Sequence, residues 1–357
     1  MKPTPFAAGR VKRAGPTAPK IPPPRDTLLH EKARVLVTGA GGFIGSALVH
    51  ELNRRGLRQI VVTDFLGEDE KWRNLLPLEF EDYVAAGEFL EVIDRDPDYY
   101  GKFAAVFHLG ACSSTTVTDA AYVLENNYAY TKALCKWSLA MGARFVYASS
   151  AATYGDGSAG MDDKSENLRV FRPLNLYGYS KQLFDLYAWR EEILPDIVGL
   201  KYFNVFGPNE YHKGDMRSLV CKAYEHIRST GLIRLFKSYR PEYPDGGQQR
   251  DFIYVKDAVD MTLHLAEEET GGLFNVGSGV ARTWADLATA LFSALGQSPK
   301  IEFIEMPENI RGQYQYYTCA GISKLRDTGY SKPTTPLEEA VRDYAVNYLL
   351  PGKRLGE

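Results

Sequence analysis

Tyr177-Gly-Tyr-Ser-Lys181 sets a phenol and an ammonium four residues apart. On a helix the two side chains share one face. A lysine cation beside a tyrosine hydroxyl lowers the phenol's pKa and suits it to proton transfer near neutral pH. Tyrosine and lysine are common, so the pair needs company before it means chemistry. Ser150 closes the run Phe145-Val-Tyr-Ala-Ser149-Ser150, 27 positions before Tyr177. A hydroxyl at the C-terminal end of a strand can donate to a substrate oxygen in the crevice of a doubly wound sheet. Tyr, Lys and Ser together suit an alcohol carbon whose C–H is not acidic. A base alone cannot invert such a centre, whereas hydride can leave to a nicotinamide and return to the other face. The protein must then take the hydroxyl proton and give one back.

A cofactor of that kind needs a place. Ala33-Arg-Val-Leu-Val-Thr38 reads as a buried parallel strand, and Gly39-Ala-Gly-Gly42-Phe43-Ile44-Gly45 follows at once. Ser46-Ala-Leu-Val-His-Glu-Leu52 then continues at helical spacing. Strand, G-x-x-G-x-x-G turn and helix form the context of a dinucleotide fingerprint, with free helix N–H groups for a pyrophosphate. Ile60-Val-Val-Thr-Asp64 reads as the next strand. Asp64, 19 residues after Gly45, stands where a carboxylate meets an adenine-ribose hydroxyl.

These residues resemble the extended short-chain dehydrogenase/reductase superfamily over roughly residues 33–345. Within it the chain is most similar to the ADP-L-glycero-D-manno-heptose 6-epimerase family. Phe107-His-Leu-Gly-Ala-Cys112-Ser-Ser-Thr-Thr116, Ser149-Ser-Ala-Ala-Thr-Tyr-Gly155, Pro173-Leu-Asn-Leu-Tyr-Gly-Tyr-Ser-Lys181 and Lys201-Tyr-Phe-Asn204-Val-Phe-Gly-Pro-Asn-Glu-Tyr-His212-Lys213-Gly214 carry the likeness. Gln249-Arg250-Asp251 and Arg311-Gly-Gln-Tyr314 agree with it. The resemblance implies an epimerase that inverts C6 of an ADP-linked heptose through a transient ketone, serving lipopolysaccharide core synthesis. It implies one NADP per subunit, with NAD the alternative, a homo-oligomer and a bacterial cytoplasm. Proton transfer falls to Tyr177 with Lys181 and Ser150 on one side of the sugar and to Lys213 on the other. The other reading of Lys213 is a diphosphate contact.

The resemblance assigns Gly39, Gly42, Phe43, Ile44, Gly45, Asp64, Phe65 and Lys71 to the cofactor. Leu109, Gly110, Ala111, Cys112, Ser113, Asn126, Lys181 and Val205 join them. To the substrate it assigns Ser150, Asn204, His212, Asp215, Lys222, Phe236, Arg250 and Tyr314. A guanidinium fork suits a diphosphate, so Arg250 fits the role, and pairing with Asp251 or another acid is its alternative. Tyr314 reads as an adenine-stacking ring or as core. The chain departs from the family at Phe65, where asparagine is expected, at Ala86 (lysine) and at Leu109 (glutamate). Asp215 and Lys222 replace an expected serine and histidine. The first two departures bear on NADP, since Asp64 repels a 2′-phosphate while Lys71 and Arg73 attract one. Two alternatives come from the same superfamily. A 4,6-dehydratase needs a carboxylate after the catalytic strand, and Ala151-Ala-Thr153 has none. A 4-epimerase shares Tyr, Lys and Ser, and the His-Lys-Gly segment argues against it. A non-catalytic dinucleotide sensor is the third alternative, and intact Tyr177 and Lys181 argue against that.

At 357 residues the chain can bury a large core. Its alternating apolar and helical stretches predict an α/β fold: a Rossmann-type doubly wound parallel sheet with a smaller, discontinuous α/β substrate lobe. Strands are expected at 34–38, 60–63, 103–108, 144–148 and 197–203. Residues 31–204 with roughly 250–276 are expected to bind the dinucleotide, and roughly 205–249 with 277–357 the substrate. Residues 1–25 hold seven prolines, six Lys or Arg and no acid, so 1–30 reads as a disordered basic tail. It lacks the serines of a transit peptide. A net charge of −3 gives no reason to expect nucleic acid, and no apolar run is long enough to span a membrane. Four cysteines without C-x-x-C spacing read as reduced thiols, and six scattered histidines predict no metal.

Overall fold

A computed structural model describes residues 28–164, 166–311 and 314–357. Most of the expected 1–30 tail lies outside these residues; within its last three, Leu29 is buried in the main core. The strands in chain order are β1 (Val35–Thr38), β2 (Ile60–Asp64), β3 (Asp82–Ala85), β4 (Ala105–His108), β5 (Arg144–Ser150) and β6 (Ile197–Tyr202). They continue with β7 (Asn204–Phe206), β8 (Ile233–Phe236), β9 (Gln249–Tyr254), β10 (Gly272–Val276), β11 (Ala281–Thr283) and β12 (Ile301–Ile304). Seven of them form one parallel sheet in the order β10-β6-β5-β4-β1-β2-β3. All five expected strands are present. β3 was not among them, because Asp82-Tyr-Val-Ala85 is a short edge strand with one buried residue and reads as loop.

The sheet is covered on both faces, so β1, β2 and β4 are buried at every position. Their side chains alternate between two cores: Val35, Val37, Ile60 and Val62 enter one, Leu36 and Val61 the other. Strand order reverses between β1 and β4, whose last residues Thr38 and His108 are register partners. The carboxyl end of that junction is where open α/β sheets bind ligands. His108 is fully buried there, between Thr38 Oγ1 at 2.7 Å and Thr131 Oγ1 at 2.8 Å. Burial, with the Lys181 cation second, lowers its pKa to about 3, so it is a neutral structural histidine.

After Tyr202 the chain leaves the large sheet. β11-β9-β7 form a three-stranded sheet and β12-β8 a parallel pair. The helix Val255–Glu267 then leads back into β10. Residues 250–254, expected with the dinucleotide-binding part, therefore run in the small sheet, and the return begins only at the following helix. The helix Trp284–Ala294 starts at a capping box between Thr283 and Asp286.

Candidate active site

The glycines of the first turn are required by close approach. A Cβ on Gly39, at φ +69°, would lie 2.5 Å from Gly110 N, and one on Gly45 would lie 2.1 Å from Gly39 O. The first contact joins the ends of β1 and β4, and the second lets the turn fold onto its own helix. That helix, Phe43–Arg54, has Gly42 as N-cap with no side-chain cap, which leaves its first amides for an anion. Asp64 accepts from Gly41 N at 2.8 Å and pairs with Lys71 Nζ at 3.1 Å. Opposite, the Leu109–Ser113 loop is held by Asn127. Its Oδ1 accepts from Cys112 N at 2.8 Å, and its Nδ2 donates to Cys112 O and Ser180 Oγ at 2.9 Å.

The candidate proton-transfer residues stand on the next elements. Ser150 ends β5, and its Oγ accepts from Ala152 N at 3.1 Å. The helix Leu176–Arg190 starts at Asn175, whose side chain accepts from Gly178 N at 2.8 Å. Gly178 explains why the motif reads Tyr-Gly-Tyr: a Cβ there would lie 2.7 Å from Ala152 O, so glycine lets this helix rest on the turn after β5. Tyr177 and Ser150 thereby line the same cavity. Contrary to the expectation from Tyr-x-x-x-Lys, the Tyr177 phenol is raised above its ordinary pKa, because burial outweighs the lowering by Ser150. Lys181 is not among the groups that move it. Lys181 itself is 3% exposed; burial lowers its pKa to about 8, against the opposing pull of Asp185 and Cys112.

Lys213 comes from a short 3₁₀ segment, Tyr211–Met216, kinked at Gly214 with φ 52°. Its ammonium lies 5.3 Å over the Phe43 ring. Burial lowers its pKa and the Glu210 carboxylate raises it. His212 approaches Asn74 Nδ2 with its Nδ1 at 3.4 Å, and burial lowers its pKa to about 4, so it is neutral at physiological pH. At the far end Tyr314 accepts from Trp284 Nε1 at 2.9 Å and meets Phe236 edge to face at 6.3 Å.

One cavity of about 880 Å³ gathers most of the expected residues. Tyr177, Lys181, Ser150 and Lys213 line it, with the three glycines, Phe43, Ile44, Asp64, Lys71, Leu109–Ser113 and Val205. So do Asn204, His212, Asp215, Lys222, Phe236 and Tyr314. Three expected residues do not. Phe65 is 56% exposed beyond the end of β2. Asn126 turns its amide to Tyr122 O within its own helix, and its neighbour Asn127 takes the buried position. Arg250 is buried behind the wall, its guanidinium carbon 5.1 Å from the Tyr314 ring centre and 5.6 Å from that of Trp284. It donates to Gln249 O. Asp251 is instead taken by Ser278, Gly279 and Ala320, which removes the Arg250–Asp251 pair as a reading. Sequence reasoning missed Trp284, Arg217 and Arg234 in the lining. Only the Thr283-x-x-Asp286 helix-start pattern around Trp284 could have drawn attention to it. Among the described residues no group of three or more His, Cys, Asp or Glu could hold a metal, and no helix is long and apolar enough to cross a membrane.

A doubly wound sheet with a glycine turn, a Tyr-Lys-Ser cluster and a second lobe over the same cavity defines a dinucleotide-dependent epimerase or dehydratase. The profile of the NAD dependent epimerase/dehydratase family matches residues 35–277. Among relatives, ADP-L-glycero-D-manno-heptose-6-epimerase of Nitratidesulfovibrio vulgaris is 52% identical over 315 residues, 88% of this chain and 97% of that one. The chain belongs to the ADP-L-glycero-D-manno-heptose-6-epimerase family. Among solved structures, the enzyme of that name from Helicobacter pylori is 27% identical with a TM-score of 0.75, covering 90% of this chain and 98% of that one. A UDP-N-acetylglucosamine 4-epimerase from Methanobrevibacter ruminantium is 26% identical with a TM-score of 0.76, covering 90% and 100%. The fold alone therefore does not separate 6- from 4-epimerases.

Proposed function

We propose that this protein converts ADP-D-glycero-β-D-manno-heptose into the L-glycero epimer at C6. The observation that carries the reading is a single cavity lined by Tyr177, Ser150 and Lys181 and also by Lys213. An epimerase of this kind must serve both faces of one carbon. The glycine cradle, the uncapped helix start and Asp64 fit a nicotinamide dinucleotide. Bound there, it supplies reversible hydride acceptance, so that C6 passes through a ketone and regains hydride on the other face.

The chain's own residues do the rest. Ser150 Oγ orients the C6 oxygen and holds the Tyr177 hydroxyl to it. Tyr177 takes the alcohol proton on one side, helped by the nearby Lys181 ammonium once the cavity is filled. Lys213 gives or takes the proton on the other side after the carbonyl has turned. Its burial lowers its pKa, which eases release of a proton from nitrogen. Asn204, His212, Phe236 and Tyr314 hold the nucleotide sugar, with Arg250 behind them.

Asp64 is neutralised by Lys71 in an ion pair that lines the cavity. The carboxylate that would repel a 2′-phosphate is thus compensated, and Lys71 is the cation to meet it. NADP is the proposed cofactor, one per subunit, in a homo-oligomer of the bacterial cytoplasm. Tighter binding of NADP than NAD is expected, with the preference lost in Lys71→Ala; tighter NAD binding to the unaltered protein would reverse this reading. The activity is tested by incubating the holoenzyme with ADP-D-glycero-β-D-manno-heptose and following the sugar by proton NMR. Conversion to the L-glycero epimer without net cofactor consumption is expected. An unchanged sugar spectrum with cofactor bound would refute the proposal and direct the search to UDP- and GDP-sugars.

A further inference from the structure

Directly behind the Tyr177 helix lies a buried ion pair that the proton-transfer chemistry does not use. Lys201, on β6, places Nζ 2.6 Å from Asp185 Oδ2, and the two side chains are 2% and 1% exposed. Asp185 is one helical turn beyond Lys181 and has a full set of partners. Tyr147 OH donates to Oδ1 at 2.8 Å, and Ser149 Oγ donates to Oδ2 at 2.8 Å. Lys201 Nζ also donates to Thr153 Oγ1 at 2.6 Å, and Thr153 Oγ1 donates to Ser150 O at 2.8 Å. A continuous polar chain thus runs from the Tyr177 helix through β5 and β6 to the backbone of Ser150.

Such a pair is poorly explained as a source of stability. Desolvating two charges offsets most of their attraction, and apolar residues of similar size would often serve as well. Its geometry has a more specific use. Tyr177 faces Ser150 only if the helix Leu176–Arg190 and the end of β5 keep one register; the ion pair joins that helix to β6, and Tyr147, Ser149 and Thr153 link the pair to β5 and to Ser150 O. We propose that Asp185 and Lys201 form a positioning pair for the reaction, fixing the Tyr177–Lys181 helix against the Ser150 end of β5 and setting a negative charge one turn behind Lys181. This rests on the reading of Tyr177, Lys181 and Ser150 as the proton-transfer residues.

The electrostatics agree. Asp185 is the largest influence that opposes the burial of Lys181, and Cys112 from the Leu109–Ser113 loop is the other. His108 on β4 faces Lys181 and is neutral. The charged and titratable groups around Asp185 are Lys181 on its own helix, Tyr147 on β5, Tyr154 after β5 and Lys201 on β6. Removing the Asp185 charge therefore makes Lys181 give up its proton at lower pH.

The test compares Asp185→Asn, Lys201→Arg and the double variant Asp185→Asn/Lys201→Met, all as holoenzymes. The double variant leaves neither member of the pair as an unpaired buried charge, so it keeps the question answerable if a single variant fails to fold. In Asp185→Asn and in the double variant, kcat is expected to fall about tenfold or more, with KM little changed and the alkaline limb of the pH–rate profile moved to lower pH. Lys201→Arg is expected to retain the limb and most of kcat. A folded double variant with unchanged kcat and profile would overturn the proposal, whatever its melting temperature. A second readout needs no sugar. The 13Cε resonance of Lys181, assigned by its loss in Lys181→Met, is titrated with and without Asp185→Asn. Its midpoint is expected to drop by about half a pH unit or more, and an unmoved midpoint would overturn the electrostatic half of the proposal. If the unaltered enzyme fails to epimerise ADP-heptose, the proposed function fails, and this titration still decides the role of Asp185.

Discussion

Tyr177 and Lys181 stand on a fifteen-residue helix, whereas Lys213 stands on a six-residue 3₁₀ segment kinked at Gly214. The helix is tied to β5 and β6 by the Gly178 contact with Ala152 and by Asp185, which takes Tyr147 and Ser149 of β5 and Lys201 of β6. The Lys213 segment has no such frame and is held by side chains. Ser218 N and Oγ donate to the buried Glu210 carboxylate at 2.5 and 2.6 Å. Asn209, at φ +78°, donates from Nδ2 to Ser46 Oγ at 2.9 Å and accepts at Oδ1 from Leu355 N at 3.0 Å. Asn74 donates to Gly41 O and Asn209 O, both at 3.0 Å. Lys213, the proposed second proton-transfer residue, is thus registered to the glycine turn and the C-terminal segment rather than to the sheet. On the proposed reading, two faces of one carbon are served by groups held in different ways, one by packed elements and the other by side chains.

The comparison is broken most severely on the helix side. Tyr177→Phe removes the hydroxyl and leaves the fold's contacts in place. Its kcat is expected to fall by about 10³-fold, with cofactor affinity kept, as measured by NMR turnover and by cofactor fluorescence titration. Retained turnover would remove Tyr177 from the mechanism.

Lys213→Met tests the other side. A proton-transfer role predicts a loss of about 10²-fold in kcat with KM nearly constant. A diphosphate contact instead predicts a rise in KM at nearly constant kcat. Steady-state kinetics on ADP-heptose separate the two, and the second pattern would reassign Lys213.

Asn209→Ala asks whether the side-chain frame matters. It leaves Ser46 Oγ and Leu355 N short of partners and puts a Cβ residue without a polar side chain at positive φ. A stability loss of about 1–3 kcal/mol is expected by denaturant unfolding, with kcat reduced only several-fold. A larger loss in kcat than in Tyr177→Phe would invert the ranking of the two sides.

The two sides also differ in how much of them the sequence discloses. Gly39, Gly42, Gly45, Asp64, Ser150, Tyr177 and Lys181 were legible because each sits at a fixed offset from a strand or helix that the apolar pattern marks. Lys213, His212, Asn204 and Tyr314 entered by family likeness, since their segment has no period to read. Asn74, Asn209, Asp185 and Lys201 left no signal. A buried polar residue is recognised by its partners, and here those lie far along the chain: Asn74 to Asn209, and Asp185 to Tyr147. Asn126 and Asn127 show the same limit at one-residue scale, because helix phase decides which of two adjacent asparagines is buried. Arg250 was expected at the substrate, but β9 sets it behind Tyr314 and Trp284, a depth that a linear motif does not encode.

The smallest expected effect is a pH dependence, and its sign differs between activity and stability. Burial lowers the Lys181 pKa from 10.5 to about 8. If the ammonium is the working form, kcat/KM of the free enzyme is full below that value and declines as pH rises through about 8. Stability runs the other way. Between about 8 and 10.5 the unfolded chain holds the Lys181 proton and the folded one has released it, so unfolding takes up a proton and the folded state gains with rising pH. The two trends are separable by measuring kcat/KM and the denaturant midpoint over the same buffers, with Lys181→Met as the reference that lacks this stability slope. Parallel trends, with activity and stability rising together through pH 8, would show that the neutral amine is the working form and would move proton handling on this wall away from an ammonium-assisted tyrosine.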